Sequence, residues 1–291
     1  MKIAEPAPSI LHGALEGSLA AMDALITTIQ PGVYKLAVHV LGNRDDAADA
    51  TQEILLKAVT RLSGFRFESA FSTWVWRVAY NHLMTARTRK AESPEVSLDG
   101  IADRLEQGLE FAAQLARDRG EPGPLSPQDK LEARQIALGC TQSMLMALDR
   151  EQRLAYVIDT VFGLDSREAA AVVGISPEAY RQRLSRARSR LDAFMSQSCG
   201  LANPAATCRC ERQLPAVRHL AQLNGVDRGA VVALHKTEME EAERQFAAFT
   251  RLTDAAAILR AHPAYQAPQA QRAAILALLR KEGFLQRDQP Q

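Results

Sequence analysis

Five arginines, Arg181, Arg183, Arg186, Arg188 and Arg190, fall within ten positions of the stretch SPEAYRQRLSRARSRL (176–191), in a chain whose formal net charge is only +1. Guanidinium groups at that density neutralise phosphates and form hydrogen bonds to base edges. Their spacing sharpens this reading. Tyr180, Leu184, Ala187 and Leu191 recur at steps of four, three and four, which draws one apolar stripe along a helix. Arg181 and Arg188 fall on one flank of the stripe, and Arg183, Arg186 and Arg190 on the other. Glu178, Gln182, Ser185 and Ser189 lie opposite the stripe. A helix seated in a major groove needs this layout, with cations for both phosphate walls and smaller polar groups for the bases. A solvated basic face is the plainer alternative.

The preceding residues favour the groove. In LDSREAAAVVGIS, Asp165 and Glu168 have capping-box spacing, and Gly174 suits a left-handed C-terminal position. A short helix, a glycine turn and an arginine-rich second helix make a helix-turn-helix.

Two other groups of side chains could do chemistry. Cys199, Cys208 and Cys210, spaced C-x8-C-x-C, could hold zinc with His219 or His235 as fourth ligand. That spacing is not a standard zinc signature, and thiol-based sensing or inert packing are the other readings. Asp46, Asp49 and Glu53 advance by three and four and therefore share a helix face, suited to a basic partner. No phosphate loop, nucleophile elbow or paired acid/base site is present, which argues against an enzyme.

The elements that must position these groups read as helices. Hydrophobic residues make up 47% of the 291-residue chain and aromatics only 5%, and long alternating β-branched runs are absent. An all-α fold is expected. Residues 14–90 form a first helical domain, with one segment starting at Pro31 and ending at Gly42-Asn43, a strong helix in DDAADATQEILLKAVTRL, and another in STWVWRVAYNHLMTARTRK. Residues 91–130 carry four prolines and nine acids against four basic residues, and read as an acidic linker with one helix at 100–119. Residues 131–197 form a second helical domain that ends in the helix-turn-helix. Residues 198–291 are a helical C-terminal extension, with a long helix at about 228–261, a break at HPAYQAP and a last helix at about 269–281. No apolar run approaches the ~18 residues of a membrane span and no secretory signal pattern is evident, so a cytoplasmic protein is expected.

Three blocks in order, NRDDAADATQEILLKAV, FRFESAFSTWVWRVAYN and LDSREAAAVVGISPEAYRQRLSRARSRL, resemble bacterial sigma factors of the extracytoplasmic-function (ECF) group of the sigma-70 family. The resemblance spans roughly residues 20–195. It implies a non-catalytic subunit that binds core RNA polymerase, directs it to promoter DNA and opens the duplex there. It assigns residues 14–90 to sigma region 2 and 131–197 to sigma region 4. Asp46, Asp49, Gln52 and Glu53 are then the polymerase contacts. Arg66, Phe67, Glu68, Ser69, Phe71, Arg77 and Asn81 recognise and melt the −10 element, with Arg87, Arg89 and Lys90 near phosphates. Glu178, Arg181, Gln182, Arg183, Ser185, Arg186 and Arg188 meet the −35 element. Of Trp74 and Trp76, which cannot share a face, one is expected in the core, and packing is the favoured role for Trp74.

The chain departs from the family pattern at Glu178-Ala179-Tyr180, where Gly-Thr-Val is frequent, and at Thr85, where an acid is frequent. Promoter preference is affected rather than fold. No cofactor is required by this reading, zinc at the cysteines being the one candidate. Regulation would come from an anti-sigma factor or from the C-terminal extension acting within the chain. A helix-turn-helix regulator that works without polymerase is the alternative function, but it leaves the first two blocks unexplained.

Overall fold

The structure, a computed structural model, describes residues 2–86, 97–120, 123–224, 259–260, 262–263 and 265–285. The described residues form eleven α-helices and no strand, with one isolated bridge between Cys199 and Cys208. They belong to two compact units. One takes in Met1–Arg89, Val157–Gln182 and Ala264–Gln291, the other Lys90–Tyr156 and Arg183–Pro263.

In the first unit, α1 (Pro8–Leu15), α2 (Leu19–Leu41), α3 (Arg44–Thr60) and α4 (Phe71–Thr85) surround a core that includes Leu25, Ile26, Ile29, Val33, Leu36, Ile54, Leu55, Val75 and Leu83, each fully buried. The segment expected to start at Pro31 is instead the second half of α2, which runs through the proline. An interior proline removes one backbone donor and costs about 3 kcal/mol. The apolar stripe Met22, Leu25, Ile26, Ile29, Val33, Leu36 and Val40 is unbroken across it, and its burial offsets that cost. The end of α2 follows expectation: Gly42 adopts φ +71°, and its N–H donates to the Val38 carbonyl. Asn43 then caps α3, its Oδ1 accepting from the N–H groups of Asp45 and Asp46 at 2.8 and 3.0 Å.

The first unit also holds α8 (Ser166–Val173) and α11 (Gln269–Lys281). α8 packs on α4, where Arg77 Nε donates to the Ala171 carbonyl at 3.0 Å. Close by in sequence, Trp76 meets Phe162 edge to face at 4.8 Å. α11 packs on α2 and α3. Gln271 Nε2 donates to the Ala48 carbonyl at 2.7 Å, Arg272 pairs with Asp23 at 3.2 Å, and Ile275 and Leu279 are buried. The span of α11 matches the expected last helix. The long helix expected at about 228–261 lies almost wholly outside the described residues, as do Arg87, Arg89 and Lys90.

In the second unit, α5 (Leu98–Arg119), α6 (Pro127–Met146) and α10 (Leu214–Asn224) pack together with a 3-10 turn at Cys210–Gln213. The acidic linker is therefore built into a folded body along α5. Gln213 Nε2 donates to the Leu105 carbonyl at 2.8 Å, and Gly108 leaves the clearance that the Gln213 side chain occupies. On α6, the capping box of Ser126 and Asp129 closes the N-terminus, and Arg218 of α10 pairs with Asp129 and Glu132 at 2.5 and 2.8 Å. The Ser126 and Arg218 hydrogen bonds hold the Asp129 carboxyl at about 2, below the usual carboxylate range. The C-terminus of α6 is closed by buried Arg153 of α7 (Arg150–Thr160). Its guanidinium donates to the carbonyls of Leu145, Met146 and Leu148, each at 2.9 Å.

Candidate nucleic-acid interface

The helix-turn-helix forms as its residues require. Asp165 Oδ1 accepts from the N–H groups of Arg167 and Glu168 at 2.7 and 2.9 Å, and Glu168 Oε2 accepts from the Asp165 N–H at 3.2 Å. These local bonds hold the Asp165 carboxyl below its usual range. Gly174, at φ +77°, turns the chain, and the Gly174 and Ile175 N–H groups both donate to the Ala170 carbonyl. Ser176 Oγ accepts from the Ala179 N–H at 3.1 Å and starts α9 (Pro177–Ser198).

On α9, Tyr180, Leu184, Ala187 and Leu191 are buried, while Glu178, Arg181, Gln182, Ser185, Arg186 and Arg188 are exposed. Arg183 differs from the groove-contact expectation. It pairs with Glu151 at 2.7 Å and its side chain is only 17% exposed. Arg190, one turn past Arg186 on the same flank, donates to Gln152 Oε1 at 2.9 Å. This flank faces α7, whose polar side chains take up both guanidinium groups. The arginine-rich helix thus divides its charge between tying α9 down and presenting an outer face.

The loop at 65–71 is built on an aromatic cluster. Phe65 contacts Phe71 edge to face at 5.3 Å and Trp74 at 5.9 Å, and Phe71 lies 5.5 Å from Trp74. Phe67 sits at the outer edge of this cluster, 4.8 Å from Phe65. It is 54% exposed and adopts φ +57°, an uncommon backbone state for a non-glycine residue. His12 of α1 stacks on it at 5.8 Å. Arg66 and Glu68 are exposed and Ser69 is half-buried.

Phe71 departs from the expected DNA-contact role. At 1% exposed it is a core residue, because it opens the buried face of α4. Trp76 is the core tryptophan, whereas Trp74 is half-buried and packs on Phe65 and Phe71. Trp74, Arg77 and Asn81 advance by three and four along one face of α4. Arg77 and Asn81 are exposed, although Arg77 also bonds Ala171.

On α3, Asp49 and Glu53 are exposed and Gln52 is half-buried. Asp46 is 5% exposed, against the expectation of a polymerase contact. It lies on the helix flank that, at Glu53 and Lys57, turns toward α4. There Lys57 Nζ meets His82 Nδ1 at 2.7 Å, with Glu53 3.8 Å from the same ring nitrogen and 3.9 Å from Lys57. Burial, with Lys57 adding to it and Glu53 opposing it, holds His82 below the ordinary histidine value.

All four cysteines of the chain line one small cavity, where Cys140 of α6, and not a histidine, joins Cys199, Cys208 and Cys210. His219 is instead stacked on Phe111 at 4.8 Å, and His235 lies outside the described residues. Among the described residues, no three His, Cys, Asp or Glu side chains are placed to hold a metal ion. Burial, reinforced by the neighbouring thiols, pushes Cys140 up to about 12 and Cys210 well above the ordinary thiol value.

Sequence reasoning missed three residues that build these surfaces. Arg153 closes the α6–α7 turn, and Cys140 completes the thiol cluster. Glu5 has carboxylate oxygens that accept from the N–H groups of Phe71 and Ser72 at 2.8 and 2.7 Å. No local pattern marks a partner 66 positions away.

Comparison with known proteins matches residues 25–92 to Sigma-70 region 2 and residues 138–191 to Sigma-70, region 4. The RNA polymerase sigma factor CnrH of Cupriavidus metallidurans is 30% identical over 151 residues, covering 52% of this chain and 73% of that protein. The ECF RNA polymerase sigma factor SigW of Bacillus subtilis is 27% identical, covering 60% of this chain and 89% of that protein. The ECF RNA polymerase sigma-E factor of Escherichia coli K12 is 29% identical, covering 61% and 87%. A solved structure, the sigma factor RpoE in complex with the anti-sigma factor NepR from Bartonella quintana, is similar with 21% identity and a TM-score of 0.37, covering 59% of this chain and 94% of that one. With both conserved regions present in order and a 30%-identical relative matched over 73% of its length, the chain belongs to the sigma-70 family of RNA polymerase sigma factors, in its ECF group.

Proposed function

We propose that this sigma factor directs RNA polymerase to promoters through three of its own surfaces. The exposed edge of α3 at Asp49, Gln52 and Glu53 meets core polymerase. The loop residues Arg66, Phe67, Glu68 and Ser69, with Asn81 on α4, hold the melted −10 strand. The outer face of α9, carrying Glu178, Arg181, Gln182, Ser185, Arg186 and Arg188, reads the −35 element. The observation that carries this reading is Phe67, which packs on Phe65 at the rim of the aromatic cluster yet stays 54% exposed at a positive φ. A base drawn out of the duplex needs an apolar ring to stack on, and such stacking contributes about 1–3 kcal/mol per base. On α9, cations at the groove edges supply affinity for any sequence, and the polar residues between them supply preference.

In this reading the chain is a non-catalytic subunit that works in the cytoplasm and needs no cofactor, the cysteines serving as packing. Stoichiometric zinc in the purified chain would overturn that last point. Among the described residues no helix is long and apolar enough to cross a membrane. Regulation is assigned to the extension, because Gln271 bonds the Ala48 carbonyl one turn before Gln52, beside the proposed polymerase edge.

The test is promoter opening by holoenzyme carrying Phe67→Ala. Opening should fall while duplex promoter binding is kept, and a pre-melted promoter should restore most of the loss. Equal opening by variant and wild type would refute the assignment of Phe67.

A further inference from the structure

α4 begins without a cap of its own. Its N-cap residue is Ala70, which has no side-chain acceptor, although its backbone (φ −56°, ψ 143°) is the extended form that capping residues adopt. The first N–H groups of a helix have no intrahelical acceptor and need one from elsewhere. Here Glu5 supplies both acceptors, one oxygen to Phe71 N–H and the other to Ser72 N–H, in a bidentate, charge-assisted contact.

The segment that carries Glu5 is itself anchored. Ile3 and Pro6, on either side of it, are buried. Ile3 lies over Gly32 of α2, its Cα 2.8 Å from where a Cβ would stand, so only glycine admits it. A few residues later His12 stacks on Phe67. The N-terminal residues therefore hold the loop at both ends, at the exposed Phe67 ring and at the first turn of the helix that follows.

We infer that Glu5 is a positioning residue for promoter opening, fixing from the N-terminal segment the junction of the 66–70 loop and α4. The inference rests on the −10 assignment made above. With the junction held, the loop keeps its positive-φ residue in place before DNA arrives, and the unstacked base meets a formed surface. Without it, the first turn of α4 frays and the loop must be ordered during opening, which slows that step and leaves earlier steps unchanged.

The test compares four holoenzymes, wild type, Glu5→Ala, Glu5→Ala with Ala70→Asp, and Asn81→Ala, on a promoter selected by the wild type from a promoter library. Duplex binding and opening are measured separately, opening by permanganate reactivity of unpaired thymines. Glu5→Ala should slow opening on the order of tenfold while duplex binding and affinity for core polymerase stay within about twofold. Ala70→Asp returns a carboxylate to the first turn of α4 from within the chain, placed to accept from the Ser72 and Thr73 N–H groups as Asn43 does from Asp45 and Asp46, and should restore opening to within about twofold. A purely structural loss would lower binding and opening together, and would contradict the inference. Unchanged or faster opening with Glu5→Ala would also overturn it, the latter because Glu5 would then be masking the site. Failure of Ala70→Asp to rescue would equally refute positioning. If Asn81→Ala also opens normally, the −10 assignment itself falls; if only Asn81→Ala is impaired, the inference about Glu5 fails alone.

Discussion

Replacing Arg183 by alanine separates the two uses of positive charge on α9. Its guanidinium pairs with Glu151 at 2.7 Å, with the arginine side chain 17% exposed and the glutamate 52% exposed. A pair with one partner in solvent contributes about 0.2–1 kcal/mol, and loss of the packed arginine stem adds to that, so a destabilisation of about 1 kcal/mol is expected. In a double-mutant cycle with Glu151→Ala the coupling should be about 0.2–1 kcal/mol. Because the guanidinium is already engaged, its removal should leave the salt dependence of DNA binding almost unchanged. Arg186→Ala should do the opposite, with little effect on stability and a salt slope shallower by about one unit. Urea denaturation together with binding titrations at several salt concentrations measures both quantities. An equal loss of salt slope for Arg183→Ala and Arg186→Ala, with no loss of stability in the former, would refute this division of the arginines.

Three further outcomes follow from the packing. Phe71→Ala should cost about 3–5 kcal/mol of stability as a core truncation, whereas Phe67→Ala, at an exposed ring, should cost under about 1 kcal/mol; denaturation of the two variants checks this. Asp49→Arg should weaken binding to core polymerase at moderate salt without altering the circular dichroism spectrum, and retained affinity would count against the α3 edge. Since His82 is held below 6.5, the unfolded chain binds more protons than the folded one between the folded value and 6.5. Stability should therefore fall as pH drops through 6.5, and His82→Gln should flatten that part of the pH profile.

What was legible in the sequence is what local chemistry decides. The Asp165–Glu168 capping box, the Gly174 turn and the buried step pattern from Tyr180 to Leu191 all lie within a few residues of their partners, and each forms as read. The last helix is bounded by Pro268 before it and glycine after it, which is why its limits were readable. Pro31 misled because a proline signal is local whereas the stripe that overrides it spans all of α2. Asp46 and Phe71 misled because motif membership does not say which flank of a helix is covered. Glu5, Arg153 and Cys140 were illegible because each acts on backbone or thiols brought near only by folding. Arg183 misled because its flank is read as a phosphate wall in the sequence, whereas folding brings Glu151 of α7 against it.

Run-off transcription from a promoter library tests the central claim most directly. Core RNA polymerase alone, core with this chain, and core with the Asp49→Arg variant are compared on the same templates. The account predicts discrete, promoter-specific transcripts only with the wild-type chain, and a marked loss with Asp49→Arg that higher protein concentration restores. Sequence-specific DNA binding by the chain with no gain in transcript over core polymerase alone would contradict it.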